Sequence, residues 1–171
     1  MKTLILSSSL SQNSKSFVLC KEVQKQLLSK KINVTLVDAR KISINKYHQK
    51  DNDDKKWLTT QIKKNDNIII GMGVHNFSIN DNLKIILDNC FSEANGKFFG
   101  IICAAGGEKS YLSTIHLTQI CMNQWKMIQL PQIIYATHSD FIENKIASSA
   151  LTEIIKKFCN EFYSIGKKLL N

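Results

Sequence analysis

The sequence predicts an α/β fold in which a doubly wound, five-stranded parallel sheet has helices on both faces. Apolar runs of strand length alternate with segments of helical period five times along the 171 residues, with no repeat or linker between them. The runs are dense in Ile, Leu, Val and Phe, which is typical of strands covered on both faces. Five such units fit a sheet of order 2-1-3-4-5 in one domain, residues 1–171. The predicted strands are residues 3–7, 33–38, 67–71, 98–104 and 132–135.

A segment of helical period follows each predicted strand. The first places Phe17, Cys20, Val23 and Leu27 on one stripe and charged residues outside it, which is the pattern of a helix packed on a core. The last is long and amphipathic, and it closes the fold. The predicted helices are residues 14–29, 55–64, 79–92, 111–124 and 145–170.

The net charge of +9 comes from 23 basic and 14 acidic residues. Ten of the 22 lysines form five doublets near the predicted ends or outer faces of helices, where cations favour the helix dipole and solvent. They lack the interleaved aromatic residues of a nucleic-acid binding surface, and Arg40 is the only arginine. We therefore expect no nucleic-acid partner, although the charge would steer anionic nucleotides toward the protein.

The amino-terminal segment and the cysteines indicate the cellular compartment of the protein. The apolar run at the amino terminus is too short for a signal peptide or a membrane span, so we expect no membrane association. The five cysteines are scattered, with no C-x-x-C pair and no histidine at metal-ligand spacing. These features predict a reduced, cytoplasmic protein without a metal site.

The loop after the first strand, residues 7–16, contains six serines and an asparagine. Backbone N–H groups at a helix start carry partial positive charge, and serine hydroxyls add further donors. Such a loop can hold a phosphate, whereas capping the helix would need only one of these residues. The loop lacks the G-x-x-x-x-G-K-[ST] pattern, which argues against a nucleoside triphosphate.

The loop after the third strand has glycines, a ring and amides just before a helix, an arrangement suited to a flat, polar-edged ligand. Gly71 and Gly73 do not form a dinucleotide-binding fingerprint, because Asn76 stands where its third glycine belongs. On these residues alone, His75 could equally be a surface histidine and Asp81 a helix cap. Both interpretations remain open at this point.

The loop after the fourth strand ends in small residues, Ala104, Ala105, Gly106 and Gly107. Small residues let the backbone approach a ligand closely, but paired glycines also occur in ordinary turns. This loop supports a ligand site without deciding for one.

The three loops resemble those of the NADPH-dependent FMN reductase family, over roughly residues 1–131. The family's first motif, G-S-x-R-x-x-S-x-N, lies over residues 8–16. The resemblance implies that Ser9, Ser11, Ser14 and Ser16 surround the FMN phosphate. Ser11 stands where the family has arginine, so that Lys15 or another lysine would supply the cation.

The family's second motif, P-x-Y-N-G-S-I-P-G-x-L-K-N, lies over residues 73–85 and implies that Gly73, Val74, His75 and Asn76 face the edge of the isoalloxazine. Its third motif, of the S-x-S-G-G type, falls on residues 103–107. It implies that the small residues 104–107 lie along the far side of the ring.

The resemblance further implies a flavodoxin-like, three-layer sandwich and an oxidoreductase that uses FMN and NAD(P)H. Such a flavoprotein would reduce a flavin, a quinone or a similar small acceptor by hydride transfer through bound FMN, with ping-pong kinetics and no catalytic side chain. Family members are commonly homodimers or homotetramers, so we expect a homo-oligomer. The alternative is a flavin-binding or interaction protein of the same fold without reductase turnover.

Overall fold

A computed structural model describes residues 1–170. Its central sheet is parallel, and strand β1 lies between β2 and β3, with β5 beyond β3. The order therefore matches the predicted doubly wound sheet. The strands of this sheet are β1 (Lys2–Ser7), β2 (Asn33–Asp38), β3 (Asn67–His75), β5 (Phe98–Ala104), β6 (Ile128–Gln129) and β7 (Ile134–Ala136).

Helices cover both faces of the sheet. Helices α2, α3 and α4 pack through one apolar cluster on one face, and α1 and α5 pack through a second cluster on the other. This is the predicted three-layer sandwich. The helices are α1 (Lys15–Ser29), α2 (Asp53–Lys64), α3 (Asp81–Cys90), α4 (Ser113–Trp125) and α5 (Ser149–Lys168). None of these helices is long and apolar enough to cross a membrane.

Strand pairing brings the predicted loops to one edge of the sheet. Ser7 pairs with Gly71 on β3 and with Asp38 on β2, while Gly73 pairs with Ala104. Since all these strands are parallel, the loops after β1, β2, β3 and β5 leave the sheet side by side at its carboxyl edge. In a doubly wound sheet this edge is where ligands bind.

Three predicted boundaries are wrong. The fifth strand, predicted at residues 132–135, is two short segments, β6 and β7, which both pair with β5; Pro131 lies between them and has no N–H for a ladder. The last helix begins at Ser149, not at 145, because Lys145–Ile146 forms strand β9 in a hairpin with β8 (Phe141–Ile142). The third strand runs on to His75, because it pairs with a short strand β4 (Ser78–Ile79).

Candidate cofactor site at the carboxyl edge of the sheet

The start of the first loop is fixed by Ser8, a buried residue that the sequence analysis did not place in the site. Its N–H donates to the Gly71 carbonyl at 2.9 Å, and its hydroxyl lies 2.8 Å from Oδ1 of Asn80. Its own carbonyl accepts from the side-chain amides of Asn80 at 3.2 Å and Asn82 at 3.0 Å. These bonds join the loop to β3 and to the start of α3, so they set the direction in which residues 9–16 leave the sheet.

The end of the first loop is the start of α1. Ser14 caps the helix, with its hydroxyl accepting from the N–H of Phe17 at 3.1 Å and lying 3.1 Å from the hydroxyl of Ser16. Ser14 and Ser16 are buried. Earlier in the loop, the Ser11 N–H donates to the Ser9 hydroxyl at 3.3 Å. Capping therefore accounts for Ser14 but for none of the other serines.

The N–H groups of residues 12, 13, 15 and 16 have no acceptor within the described chain, whereas the turn at residues 12–13 directs the Ser14 N–H at the Ser11 carbonyl. Unpaired N–H groups are costly at buried positions, and Ser16 is such a position. Free donors at a helix start suit an anion, because the partial charge of the dipole adds to the direct hydrogen bonds. A phosphomonoester such as that of FMN fits this donor set.

The side chain of Lys15 is bonded to a hairpin that lies beside the loop. Its ammonium donates to Oδ1 of Asn144 at 3.2 Å and lies 5.1 Å from the centroid of the Phe141 ring. Both residues belong to the β8–β9 hairpin, which also contacts the loop through Asn144 Nδ2 and Asn13 Oδ1 at 3.5 Å. The backbone N–H of Lys15 is thus one of the free donors of the loop, whereas its ammonium group binds the hairpin.

Arg40 is the cation whose side chain reaches the first loop. It lies in the helical turn Ala39–Lys41 after β2, and its Nη1 donates to the Gln12 carbonyl at 3.4 Å. Its guanidinium pairs with Asp38, with Nε 2.8 Å from Oδ1 and Nη2 2.7 Å from Oδ2. Burial works to raise the pKa of Asp38, but the bonds from Arg40 outweigh it and hold that pKa below its usual value.

The loop after β3 is a tight hairpin. His75 pairs with Ser78, and the two residues between them, Asn76 and Phe77, have φ angles of +48° and +60°. Positive φ at both central positions defines a type I′ turn, which favours Asn-Gly, so that Phe77 is strained there. His75 is exposed, with Nδ1 3.8 Å from Oδ1 of Asp81. The structure therefore brings together the two residues whose roles the sequence left open.

The two glycines of β3 differ in their surroundings. A Cβ added at Gly71 would lie 2.3 Å from Sγ of Cys20, whereas one at Gly73 would come no closer than 3.9 Å to the Ala104 carbonyl oxygen. Gly71 is thus required by the packing of α1 on the sheet. Gly73 leaves open space beside the site.

In the loop after β5, only some of the backbone N–H groups are free to bind a ligand. The Ala105 N–H donates to the Ala136 carbonyl at 2.9 Å, but those of Gly106 and Gly107 find no acceptor within residues 1–170. The Tyr135 hydroxyl on β7 donates to the Gly107 carbonyl at 2.6 Å, and this bond ties the loop to the sheet. Burial is the main cause that raises the pKa of Tyr135, which keeps this hydroxyl a donor.

The rim of the site is apolar. The three loops expose large side chains at the carboxyl edge, from Leu10 after β1, Phe77 after β3, and Tyr111 and Leu112 after β5. Free N–H groups for an anion and an apolar rim suit a ligand with a phosphate at one end and a flat ring at the other.

The cysteines beneath the site are buried thiols. Burial raises the pKa of Cys20 and of Cys103 to about 12, which keeps both protonated at neutral pH. The described residues contain no group of three or more His, Cys, Asp or Glu that could hold a metal ion.

Comparison with protein families identifies the chain. Residues 1–141 match the family model of NADPH-dependent FMN reductase. The chain belongs to this family. Membership makes it an NAD(P)H-dependent FMN reductase-like oxidoreductase, with FMN as its cofactor and NAD(P)H as its reductant, as the resemblance of the three loops implied. No curated protein matches the sequence.

Solved structures share the family's fold at low sequence identity. An NADH:FMN oxidoreductase, EMOB, has a TM-score of 0.80 and 15% identity, over 94% of this chain and 87% of its own. FerB from Paracoccus denitrificans, an NAD(P)H:(acceptor) oxidoreductase, has a TM-score of 0.80 and 15% identity, over 98% and 97%. A flavodoxin from the domain Archaea has a TM-score of 0.71 and 14% identity, over 98% and 99%. These likenesses confirm the flavodoxin-like fold.

Proposed function

We propose that this protein reduces a flavin, a quinone or a similar small acceptor by hydride transfer through FMN bound at the carboxyl edge of the sheet. The observation that carries the proposal is the set of unpaired N–H groups at residues 12, 13, 15 and 16. A bound phosphate would satisfy these donors, and the apolar rim would cover a ring attached to it. The FMN supplies the redox chemistry, accepting hydride from NAD(P)H and passing electrons to the acceptor.

The protein's own residues would then bind and orient the cofactor. The loop residues Ser9, Ser11, Ser14, Lys15 and Ser16 would surround the phosphate, largely through backbone N–H groups. The hairpin residues Gly73, Val74, His75 and Asn76 would lie at one edge of the ring, and residues 104–107 along its far side, with Gly106 and Gly107 as the free donors there. Oriented donors beside the ring stabilise the negative charge that it gains on reduction. No side chain need act as a general acid or base.

The absorbance spectrum of the purified protein tests the proposal. We expect the bands of oxidised flavin, bleached anaerobically by NADH or NADPH and restored when a quinone or free flavin is added. Flavin bands that NAD(P)H leaves unchanged would instead identify a flavin-binding protein without turnover. A protein that neither contains FMN nor binds added FMN would contradict the proposal.

We also propose a reduced environment and a homo-oligomer. The five cysteines are free and buried, as in a protein of the cytoplasm.

An open cleft of about 1100 Å³ between α3 and α4 is lined by Ile120 and Trp125 among polar residues, and Ile115 and Met122 are exposed on α4. This surface would suit a second copy of the chain. Sedimentation equilibrium measures the oligomeric state. We expect a dimer or a tetramer, and a monomer would contradict the proposal.

A further inference from the structure

The first loop has a set of donors for a phosphate, and its one basic side chain is engaged by another element. Lys15 is the only lysine or arginine in residues 7–16, and its ammonium is bonded to the β8–β9 hairpin. A phosphomonoester is a dianion or nearly so at neutral pH, and its hydrogen bonds are strongest when a donor is charged. A cation from another element would therefore strengthen the site.

Arg40 is positioned to supply it. Because Ser7 pairs with Asp38 at the adjacent ends of β1 and β2, the turn that carries Arg40 lies directly beside the first loop. The Arg40 Nη1 reaches the Gln12 carbonyl at 3.4 Å, and Gln12 is the first of the loop residues with free N–H groups. We propose that Arg40, from the end of β2, supplies the positive charge that holds the FMN phosphate in the first loop.

The guanidinium is held in place on three sides. Asp38 binds its Nε–Nη2 edge, Gln12 binds Nη1, and the Phe17 ring lies beneath it, with Cζ 4.2 Å from the ring centroid. Of the five N–H donors of a guanidinium, Asp38 uses those on Nε and one on Nη2, and Gln12 uses one on Nη1. One donor on Nη1 and one on Nη2 remain for a ligand.

This arrangement explains how an ion-paired arginine can still bind an anion. The carboxylate of Asp38 and the loop lie on different edges of the guanidinium, so the pair presents its positive end to the loop. The Arg40 side chain is only 18% exposed, which limits screening of its charge by solvent. Since its orientation is set before the ligand arrives, little side-chain entropy is lost on binding.

The inference rests on the proposed function, and a comparison of FMN with riboflavin tests it separately. The two ligands share the ring, but only FMN carries the phosphate. Arg40→Gln should weaken FMN binding by about tenfold or more and leave riboflavin binding within about twofold. The dependence of FMN affinity on salt should also become flatter.

Two variants serve as controls. Lys21 lies over the same Phe17 ring, 5.9 Å from its centroid, but makes no bond to the first loop; Lys21→Gln should leave the ratio of FMN to riboflavin affinity unchanged. Since Arg40→Gln leaves the Asp38 carboxylate unpaired, the double variant Asp38→Asn/Arg40→Gln separates loss of charge from damage to the fold. We expect it to retain the fold and to lose FMN binding like Arg40→Gln.

A relocation of the charge gives the sharpest result. Ser11 precedes Gln12 in the loop, so Ser11→Arg in the Arg40→Gln background should recover most of the lost FMN affinity, whereas Ser11→Arg alone should change it little. Equal losses of FMN and riboflavin in Arg40→Gln, or an unchanged FMN affinity, would overturn the inference. A wild-type protein that binds neither flavin would overturn the proposed function and this inference with it.

Discussion

The two ends of the candidate site depart from the family's motifs in different ways. In the first loop, Ser8 stands where the motif has glycine, and in α3's cap Asn80 stands where it has proline. The two substituted residues are in contact, because the Ser8 hydroxyl and carbonyl bond to the Asn80 side chain. At the hairpin after β3, Phe77 stands where the motif has glycine, with a φ of +60°.

The difference lies in whether a departure from the motif gains new contacts. Ser8 and Asn80 bond to each other, whereas Phe77 has a positive φ, which is unfavourable for a bulky residue, and an exposed side chain. The predictions that follow test this contrast.

The largest expected effect is the loss of FMN binding in Ser14→Asp. Aspartate caps a helix as well as serine does, so α1 should begin normally. Its carboxylate would repel a bound phosphate, at a cost of several kcal/mol or about 100-fold or more in affinity. Ser9→Asp should act in the same way. Equilibrium titration with FMN measures the loss, and circular dichroism checks the fold.

Ser148 gives a matched control for that experiment. It caps α5, with its hydroxyl accepting from the Leu151 N–H at 3.1 Å, just as Ser14 caps α1. Ser148→Asp should therefore leave FMN affinity unchanged. If Ser9→Asp and Ser14→Asp bound FMN like the parent, the phosphate would lie elsewhere and the first loop would not be its site.

The compensation between Ser8 and Asn80 predicts a coupling free energy. Ser8→Ala and Asn80→Ala should each lower the free energy of unfolding by about 1–3 kcal/mol, because each leaves buried polar groups without a partner. The double variant should lose less than the sum, by about 0.5–3 kcal/mol. Urea denaturation of the four proteins measures this. Strictly additive losses would mean that the two departures from the motif are independent.

A smaller effect, of opposite sign, is expected at the ring end. Phe77→Gly should raise the free energy of unfolding by about 1 kcal/mol, because glycine adopts positive φ without strain. Leu112→Gly is the control, since Leu112 is about as exposed as Phe77, at 67% against 64%, but has a φ of −63°. There glycine should destabilise or have no effect. A loss of stability in Phe77→Gly would mean that the ring makes stabilising contacts that outweigh its strain.

The sequence was sufficient to predict the sheet order and the three loops at its carboxyl edge, because strands such as 67–71 are continuous apolar runs. It could not show the β3–β4 hairpin, because Asn-Phe is a poor signal for a type I′ turn. Nor could it show the β8–β9 hairpin, whose second strand lies inside the predicted helix 145–170. The sequence also could not predict the directions of side chains. Lys15, which the resemblance places beside the phosphate, directs its ammonium group to the β8–β9 hairpin. Arg40 did carry a signal, as the only arginine, two residues beyond the predicted end of the second strand.

The smallest expected effect concerns His75, at the edge of the ring end. The resemblance places it where the family has tyrosine, but the structure leaves it exposed, with Asp81 as its nearest charged partner at 3.8 Å. An imidazole N–H is a hydrogen-bond donor. A donor beside the ring would favour the negative charge that the ring gains on reduction, so the midpoint potential of bound FMN should be lower in His75→Phe than in the parent. Because the site is exposed, the difference should stay below about 30 mV, which for two electrons corresponds to about 1.4 kcal/mol. Potentiometry of the parent and His75→Phe under the same conditions measures the difference, and Asp81→Asn is a control that keeps the imidazole and removes its nearest charged partner. If parent and His75→Phe gave identical potentials, His75 would be a surface residue without a role in tuning the cofactor.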